Sequence, residues 1–231
     1  MKYLITGATS GIGLCVVQRL ASAGHRVVAT GRRPTSELPN SFPDVEYIPL
    51  DLSSGASARD RLGPSIDQLD RAILCAGTGH YRSIEDETPS EIEHVVSVNY
   101  RATAEICGAV YHPLAATRGR LAIIGSVARH GSSAMPIYSA SKAALRGFSR
   151  SLQSEWEGRV RVCHLDPWAT RTPMHKRAGL DHPPVRLLLM DPDDVARAIL
   201  WRLERAGMGV SAITPATIAA MRVRRLGGRV A

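Results

Sequence analysis

Residues 3–13 read YLITGATSGIG and indicate the fold of the chain. The apolar run Tyr3–Ile5 predicts a short buried strand, Gly7 follows it, and Gly11 and Gly13 open a helical pattern that stops at Gly24. Glycine lets a backbone turn tightly and approach a ligand, and a helix N-terminus offers free N–H groups to phosphate. This order of elements predicts a phosphate cradle; the alternative is a tight strand–helix turn without a ligand.

The rest of the chain repeats the alternation of strand and helix. Further apolar runs predict buried strands at Val27–Ala29, Val45–Ile48, Ala72–Leu74, Leu121–Ile124 and Val160–His164. Such strands, separated by helices, imply a parallel sheet covered on both faces, and right-handed crossovers make it doubly wound. We therefore expect one Rossmann-like α/β domain over residues 1–231.

Bulk composition is that of an ordinary globular protein, with 44% hydrophobic and 22% charged residues among 231. Four widely spaced cysteines without a CxxC motif predict reduced thiols rather than a disulfide framework. No apolar run approaches the roughly 18 residues of a membrane span, and the first residues lack a signal-peptide pattern. We expect a cytoplasmic protein with no membrane span and no metal.

The net charge of +8 is open to several interpretations. It would suit binding to nucleic acid, to an anionic membrane or to an anionic small ligand, or it could reflect only a solvated basic surface. The solvated surface is favoured, and no nucleic-acid partner is expected. Residues 215–231 concentrate Arg222, Arg224, Arg225 and Arg229. They predict a solvated basic tail, and peripheral membrane contact is the alternative.

Residues 168–190 predict a short lid over a substrate. They are rich in proline, hold no long helical pattern and follow a predicted strand. They therefore leave the carboxyl edge of the sheet, where open α/β folds bind ligands.

Tyr138 and Lys142 are four residues apart in a helix predicted to start near Pro136, and so share a face. A nearby ammonium favours the phenolate, which makes this a sensible proton-transfer pair; a solvated helix face is the alternative. Ser126 ends a buried strand and can hydrogen-bond a substrate oxygen. Asn99 interrupts another helical pattern, where it is a poor helix former.

The TGxxxGxG spacing and the order Asn99, Ser126, Tyr138, Lys142 together resemble the classical short-chain dehydrogenase/reductase family. The resemblance implies that Tyr138 exchanges a proton with the substrate and that Lys142 lowers the Tyr138 pKa and holds the nicotinamide ribose. It also implies that Ser126 fixes the substrate oxygen and that Asn99 anchors a water in a proton relay. A hydride would pass between the nicotinamide and a carbonyl carbon.

The resemblance extends to a cofactor site over nearly the whole chain. Asp51 falls where the family binds adenine, and Pro167 and Thr172 fall in nicotinamide-contacting places. The full set of expected cofactor-binding residues is Gly7, Thr9, Ser10, Gly11, Ile12, Gly13, Arg32, Arg33, Asp51, Leu52, Ala76, Gly77, Tyr138, Lys142, Pro167, Thr170 and Thr172.

Two departures from the family pattern stand out. The family's Asn-Asn-Ala-Gly is Leu74-Cys75-Ala76-Gly77 here, so Cys75 replaces an amide that braces the central strands. The family's Pro-Gly is Pro167-Trp168. Trp168 either narrows the pocket or stacks on a flat substrate, or it points away and packs beneath the lid. Trp168 and His175 are the candidate substrate residues.

The end of the second strand predicts the cofactor. NAD-binding folds carry an acid there for the ribose 2′-hydroxyl, whereas RVVATGRRP at 26–34 has Arg32 and Arg33 and no acid. Arginine pairs well with a 2′-phosphate, and an exposed basic turn is the alternative. NADP(H) is therefore expected, with Arg32 as the main contact.

These observations predict an NADP(H)-dependent oxidoreductase that reduces a ketone or aldehyde, or oxidises a secondary alcohol. One alternative is an extended-type sugar-nucleotide epimerase or dehydratase, which the glycine spacing and short C-terminal region disfavour. Another is a non-catalytic NADP-binding scaffold, which retention of all four tetrad residues disfavours. The chain end lacks the glycine-rich segment that completes the sheet in many tetrameric relatives, so a homodimer is expected, with a tetramer as the alternative.

Overall fold

A computed structural model describes residues 1–55, 57–174, 189–205 and 209–227, with side chains of 209–211 and 222–227 left undescribed. Its centre is a parallel sheet in the order β3-β2-β1-β4-β5-β6-β7. The strands are β1 (Lys2–Thr6), β2 (Arg26–Gly31), β3 (Glu46–Pro49), β4 (Arg71–Leu74), β5 (Arg120–Ile124), β6 (Arg161–Pro167) and β7 (Gly209–Ile213). The predicted doubly wound α/β fold is confirmed.

Helices cover both faces of the sheet. They are α1 (Gly11–Ser22), α2 (Ala58–Leu62), α3 (Pro89–Val96), α4 (Ala102–Thr117), α5 (Pro136–Glu155), α6 (Pro192–Arg205) and α7 (Pro215–Gly227). On one face, α1 and α6 bury Val16, Val17 and Ile199 against the strands. On the other, Ile106 of α4 and Leu145 of α5 join the second core. No helix of the described ranges is long and apolar enough to cross a membrane.

The order in which strands are added to the sheet reverses between β1 and β4. These strands are neighbours, yet β2 and β3 lie on one side of β1 and the later strands lie beyond β4. A crevice opens at such a switch point, outside the carboxyl ends of the strands, and ligands bind there. The loops that follow β1, β2, β4, β5 and β6 all begin at this edge of the sheet.

A π-helical segment, Ser97–Arg101, joins α3 to α4 and contains Asn99. Asn99 is a poor helix former, and an exposed polar position would be its ordinary place in a helix. Instead the side chain is fully buried, because the wider turn directs it into the protein.

The C-terminal end corrects two expectations. Strand β7 completes the sheet next to β6, although its short mixed sequence gave no strand signal. The predicted solvated tail at 215–231 is helical over Pro215–Gly227. Ile218 is buried in the core and Met221 packs beside it, so an apolar stripe attaches α7 to the domain. Residues 228–231 lie outside the described part.

Candidate active site

A cavity of about 810 Å³ occupies the crevice at the carboxyl edge of the sheet. Every described residue predicted for the cofactor or the substrate lines it, as do Ser126, Tyr138 and Lys142. Asn99 lies behind the wall. His175 and residues 175–188 of the predicted lid lie outside the described residues.

The glycine turn forms one end of the cavity. Gly7 has a φ of +65°, and a Cβ at this position would lie 2.8 Å from the Ala76 backbone. The side chain of Ser10 forms no capping hydrogen bond at the start of α1. The first amides of α1 therefore lie beside the cavity with the positive end of the helix dipole, a geometry that suits a diphosphate.

Arg32 and Arg33 line the cavity beyond this turn, and both side chains are exposed. The hydroxyl of Tyr47 on β3 lies 2.9 Å from the Gly31 carbonyl oxygen and 2.7 Å from that of Arg33. It thereby holds the backbone on both sides of Arg32. Tyr47 carried no sequence signal, because only the pairing of β3 with β2 brings it to this turn.

Asp51 follows β3 at the same end of the cavity. Hydrogen bonds from the Ser53 hydroxyl and backbone lower the pKa of its carboxyl, and the charges of Arg32 and His94 act in the same direction. Asp51 is therefore an anion at neutral pH beside Arg32. His94 also lines the cavity and carried no motif signal.

Tyr138 and Lys142 lie on the buried face of α5, at the other end. Lys142 Nζ is 5.6 Å from the centre of the Tyr138 ring and donates a hydrogen bond to the Ile124 carbonyl at 3.0 Å. Burial lowers the pKa of Lys142 to about 8. The loop after β4 lies directly against the Tyr138 ring, since a Cβ at Gly79 would lie 2.7 Å from it.

The pKa of Tyr138 runs against the expectation from the sequence. Burial raises it to about 12, and a hydrogen bond with the Ser126 side chain opposes this only in part. The predicted lowering by Lys142 is not the dominant effect in this geometry. At neutral pH Tyr138 is therefore a protonated phenol, the form that donates a proton.

Asn99 has a bracing function in the structure. Its Oδ1 accepts a hydrogen bond from the Thr78 N–H at 2.8 Å, and its Nδ2 donates to the Thr78 carbonyl and to Ser141 Oγ, both at 2.9 Å. Both amide hydrogens are thus used within the protein, so the side chain has none left to donate to a relay water.

These contacts also answer the question raised by Cys75. Asn99 ties the loop after β4 to α5, and the Ala76 N–H donates to Thr6 Oγ1 at 3.1 Å, which joins β4 to β1. These two polar contacts connect β4 and its loop to β1 and α5 without an amide at Cys75. Cys75 is half-buried at the cavity wall, and desolvation raises the pKa of its thiol to about 12, an effect that the nearby charge of Lys142 opposes. All four cysteines are free.

Trp168 lines the end of the cavity that contains Tyr138, and 45% of its surface is exposed. Its backbone is held on both sides: the N–H donates to Ile213 of β7 at 2.9 Å, and the carbonyl accepts from the Thr170 hydroxyl at 2.7 Å. The residues described around it leave much of the indole uncovered. Tyr81, His130 and Met135 also line this end and carried no sequence signal.

The described residues contain no group of three or more His, Cys, Asp or Glu side chains that could hold a metal ion. The reactive side-chain groups at one end of the cavity are the phenol of Tyr138, the hydroxyl of Ser126 and the ammonium of Lys142.

Comparison with known proteins identifies the class. The family model described as short chain dehydrogenase matches residues 2–182, and the chain belongs to the short-chain dehydrogenase/reductase family of oxidoreductases. Members of this family bind a nicotinamide cofactor, and the cradle and crevice fit one.

Individual relatives cover most of the chain. It is 32% identical to the NADP-dependent 3-hydroxy acid dehydrogenase YdfG of Escherichia coli K12 over 223 residues, 87% of this chain and 88% of the relative. It is 31% identical over 172 residues to a 3-ketodihydrosphingosine reductase of Bacteroides thetaiotaomicron, 71% of this chain and 62% of that protein. A short-chain dehydrogenase from Sphingobium yanoikuyae in complex with NADPH superposes with a TM-score of 0.79 at 28% identity, over 99% and 93% of the two chains.

Proposed function

We propose that this chain is an NADPH-dependent carbonyl reductase in which Tyr138 is the proton donor. The observation that carries the proposal is the grouping of Tyr138, Ser126 and Lys142 at one end of a cavity whose other end carries Arg32, with the Lys142 ammonium 5.6 Å from the centre of the Tyr138 ring. A reaction at a carbonyl group needs a proton at the oxygen, and these groups lie where that oxygen would enter.

NADPH, when bound, supplies a hydride to the carbonyl carbon. The α1 amides would hold its diphosphate, Arg32 its 2′-phosphate and Lys142 its nicotinamide ribose. The 2′-phosphate assignment is supported by two arginines and no acid over residues 26–34, and by the NADP named for the Escherichia coli relative.

The protein's own groups then handle the proton. Ser126 Oγ holds the carbonyl oxygen, and the Tyr138 phenol donates its proton as that oxygen gains negative charge. The raised pKa keeps Tyr138 protonated at neutral pH, which is the form that can donate a proton to the carbonyl oxygen. The Lys142 ammonium stabilises the phenolate that forms.

The proposal is tested by NADPH absorbance with purified protein and a panel of 3-oxo acid esters, aromatic ketones and aliphatic aldehydes. The wild type is expected to turn over at least one class. Tyr138→Phe should lower kcat about 100- to 10,000-fold while NADPH still binds in a fluorescence titration. Tyr111→Phe, whose ring packs on Trp156, is the matched control. Full activity of Tyr138→Phe, or no turnover by the wild type, would contradict the proposal.

The homodimer and the cytoplasmic location stay predictions from the sequence. Size-exclusion chromatography with light scattering tests the first of these.

A further inference from the structure

A buried polar cluster lies directly behind Ser126, and the mechanism above leaves it without a role. It consists of Asp166 and His164 at the end of β6, Ser149 on α5, and Arg129 in the turn after β5, and we term it the Asp166 cluster. Asp166 is 1% exposed and His164 fully buried. A carboxylate at such a depth is retained only where hydrogen bonds and nearby positive charge compensate for its lost solvation.

The Asp166 carboxylate contacts three residues. Its Oδ1 accepts a hydrogen bond from the Ser126 N–H at 3.0 Å and lies 2.9 Å from His164 Nε2. Its Oδ2 accepts from Arg129 Nε at 2.7 Å. Burial opposes ionisation, but the hydrogen bonds and charges of His164 and Arg129 outweigh it and lower the pKa of Asp166. The carboxylate is therefore charged at neutral pH.

The cluster also reaches the helix that carries Tyr138 and Lys142. His164 Nδ1 lies 2.9 Å from Ser149 Oγ on α5, and the same hydroxyl donates to the Leu145 carbonyl at 2.7 Å. A continuous chain of polar contacts therefore runs from α5 through His164 and Asp166 to the Ser126 backbone. It links the two elements that must hold Tyr138 and Ser126 in register.

The backbone before Ser126 confirms how closely the cluster packs. A Cβ at Gly125 would clash with Asp166 Oδ1 and His164 Nε2. A hydrogen bond from the Arg129 N–H to the Ser126 carbonyl oxygen, at 3.1 Å, spans the turn that follows Gly125. Asp166 thus holds this turn at both ends, through the Ser126 N–H and the Arg129 guanidinium.

We propose that Asp166 is a positioning residue for Ser126, which it holds in hydrogen-bonding distance of Tyr138. The inference rests on the proposed function, since it assigns Ser126 to the substrate oxygen. It makes Asp166 act through Ser126 and gives it no contact with the substrate.

Asp166→Asn tests the proposal because an amide cannot satisfy both sides of the cluster. Either orientation turns its NH₂ toward a donor, at Arg129 Nε or at the Ser126 N–H. We expect kcat to fall about 10- to 100-fold, with the KM for NADPH changed less than about 2-fold. In a Ser126→Ala background the same substitution should cause no further loss, since the residue through which it acts is gone.

Asp193→Asn is the matched control. Asp166 Oδ2 lies near two arginines, since Arg146 Nη1 is 3.8 Å away in addition to Arg129. Asp193 likewise binds two arginines, Arg19 and Arg197, but at the start of α6 and outside the cavity. The kcat of the Asp193→Asn variant should equal that of the wild type. Should Asp166→Asn fail to fold, Arg129→Gln removes the other end of the same contact and should show the same dependence on Ser126.

Two results would overturn the positioning role: an unchanged kcat, or an equal loss in the presence and absence of the Ser126 hydroxyl, which indicates a general structural defect. Should the wild type turn over no carbonyl, the proposed function fails separately. A crystal structure of Asp166→Asn then decides the inference, with Ser126 Oγ expected to move away from Tyr138 Oη by about 1 Å or more. Unchanged geometry would refute it.

Discussion

The hydroxyl of Tyr47 lies 2.7 Å from the carbonyl oxygen of Arg33 and so holds the turn that presents Arg32 to the cavity. The same hydroxyl reaches the Gly31 carbonyl, and Gly31 itself has no room for a side chain beside Thr9 and Tyr47. An arginine on such a supported turn loses little backbone freedom when it binds a phosphate, which favours affinity.

Arg32→Ala is expected to raise the KM for NADPH about 10- to 100-fold, because a charge-assisted hydrogen bond to the 2′-phosphate is lost. The KM for NADH should change little, since NADH lacks that phosphate. Arg33→Ala is the control, because its guanidinium is directed at the Glu37 carbonyl at 3.4 Å, and a smaller effect is expected. Steady-state kinetics with both cofactors measure this. Equal damage with NADPH and NADH would refute the assignment.

Lys142→Met is expected to abolish turnover and yet stabilise the ligand-free protein at neutral pH. Burial lowers the pKa of Lys142 from 10.5 to about 8, so the buried ammonium costs on the order of 3 kcal/mol. The lost hydrogen bond to Ile124 offsets about 1 kcal/mol of this gain.

The pH dependence of that gain has a definite sign. Between about pH 8 and 10.5 the unfolded wild-type chain binds a proton that the folded chain has released, so wild-type stability gains from this group as the pH rises. The advantage of Lys142→Met should therefore be largest below about pH 8 and shrink toward pH 10.5. Urea unfolding across this range measures it, and an advantage that grows with pH would contradict the assignment.

Gly125→Ala is expected to destabilise the fold by about 1–3 kcal/mol and to lower kcat, because the new methyl group clashes with Asp166 and His164. Gly147→Ala serves as the control. Gly147 is an exposed position within α5 with no atom near a Cβ, so alanine there should stabilise by up to about 1 kcal/mol. Thermal unfolding distinguishes the two, and a harmless Gly125→Ala would show that the close packing does not matter.

Trp168→Gly is expected to raise the KM for aromatic ketones about 10-fold while leaving small aldehydes nearly unaffected. Its half-exposed indole offers a flat apolar wall at the end of the cavity that contains Tyr138. An aromatic contact contributes about 1 kcal/mol of binding free energy in addition to that from the apolar area it buries. Trp168→Phe should restore part of the preference. Parallel losses for both substrate classes would indicate that Trp168 has only a structural function.

The sequence by itself determined the fold and most of the candidate site. Six of the seven strands, the cradle at Gly7 and the Tyr138–Lys142 pair could be predicted, because strand periodicity, glycine turns and i,i+4 spacing are local properties. Tertiary structure decided what depends on distant partners. Ser126 meets Asp166 across 40 residues of chain, and Tyr47 reaches Gly31 only through strand pairing.

The burial of an individual side chain likewise cannot be read from the residues next to it in the sequence. It reversed the expected direction of the Tyr138 pKa, and it placed Asn99 inside the protein as a brace. It also attached α7 to the core where the sequence indicated a basic tail, because the sparse apolar positions of that segment gain meaning only from the surface they cover. Spacing along the chain determines which groups can meet, whereas the packing of strands and helices decides their hydrogen-bond partners and their exposure to water.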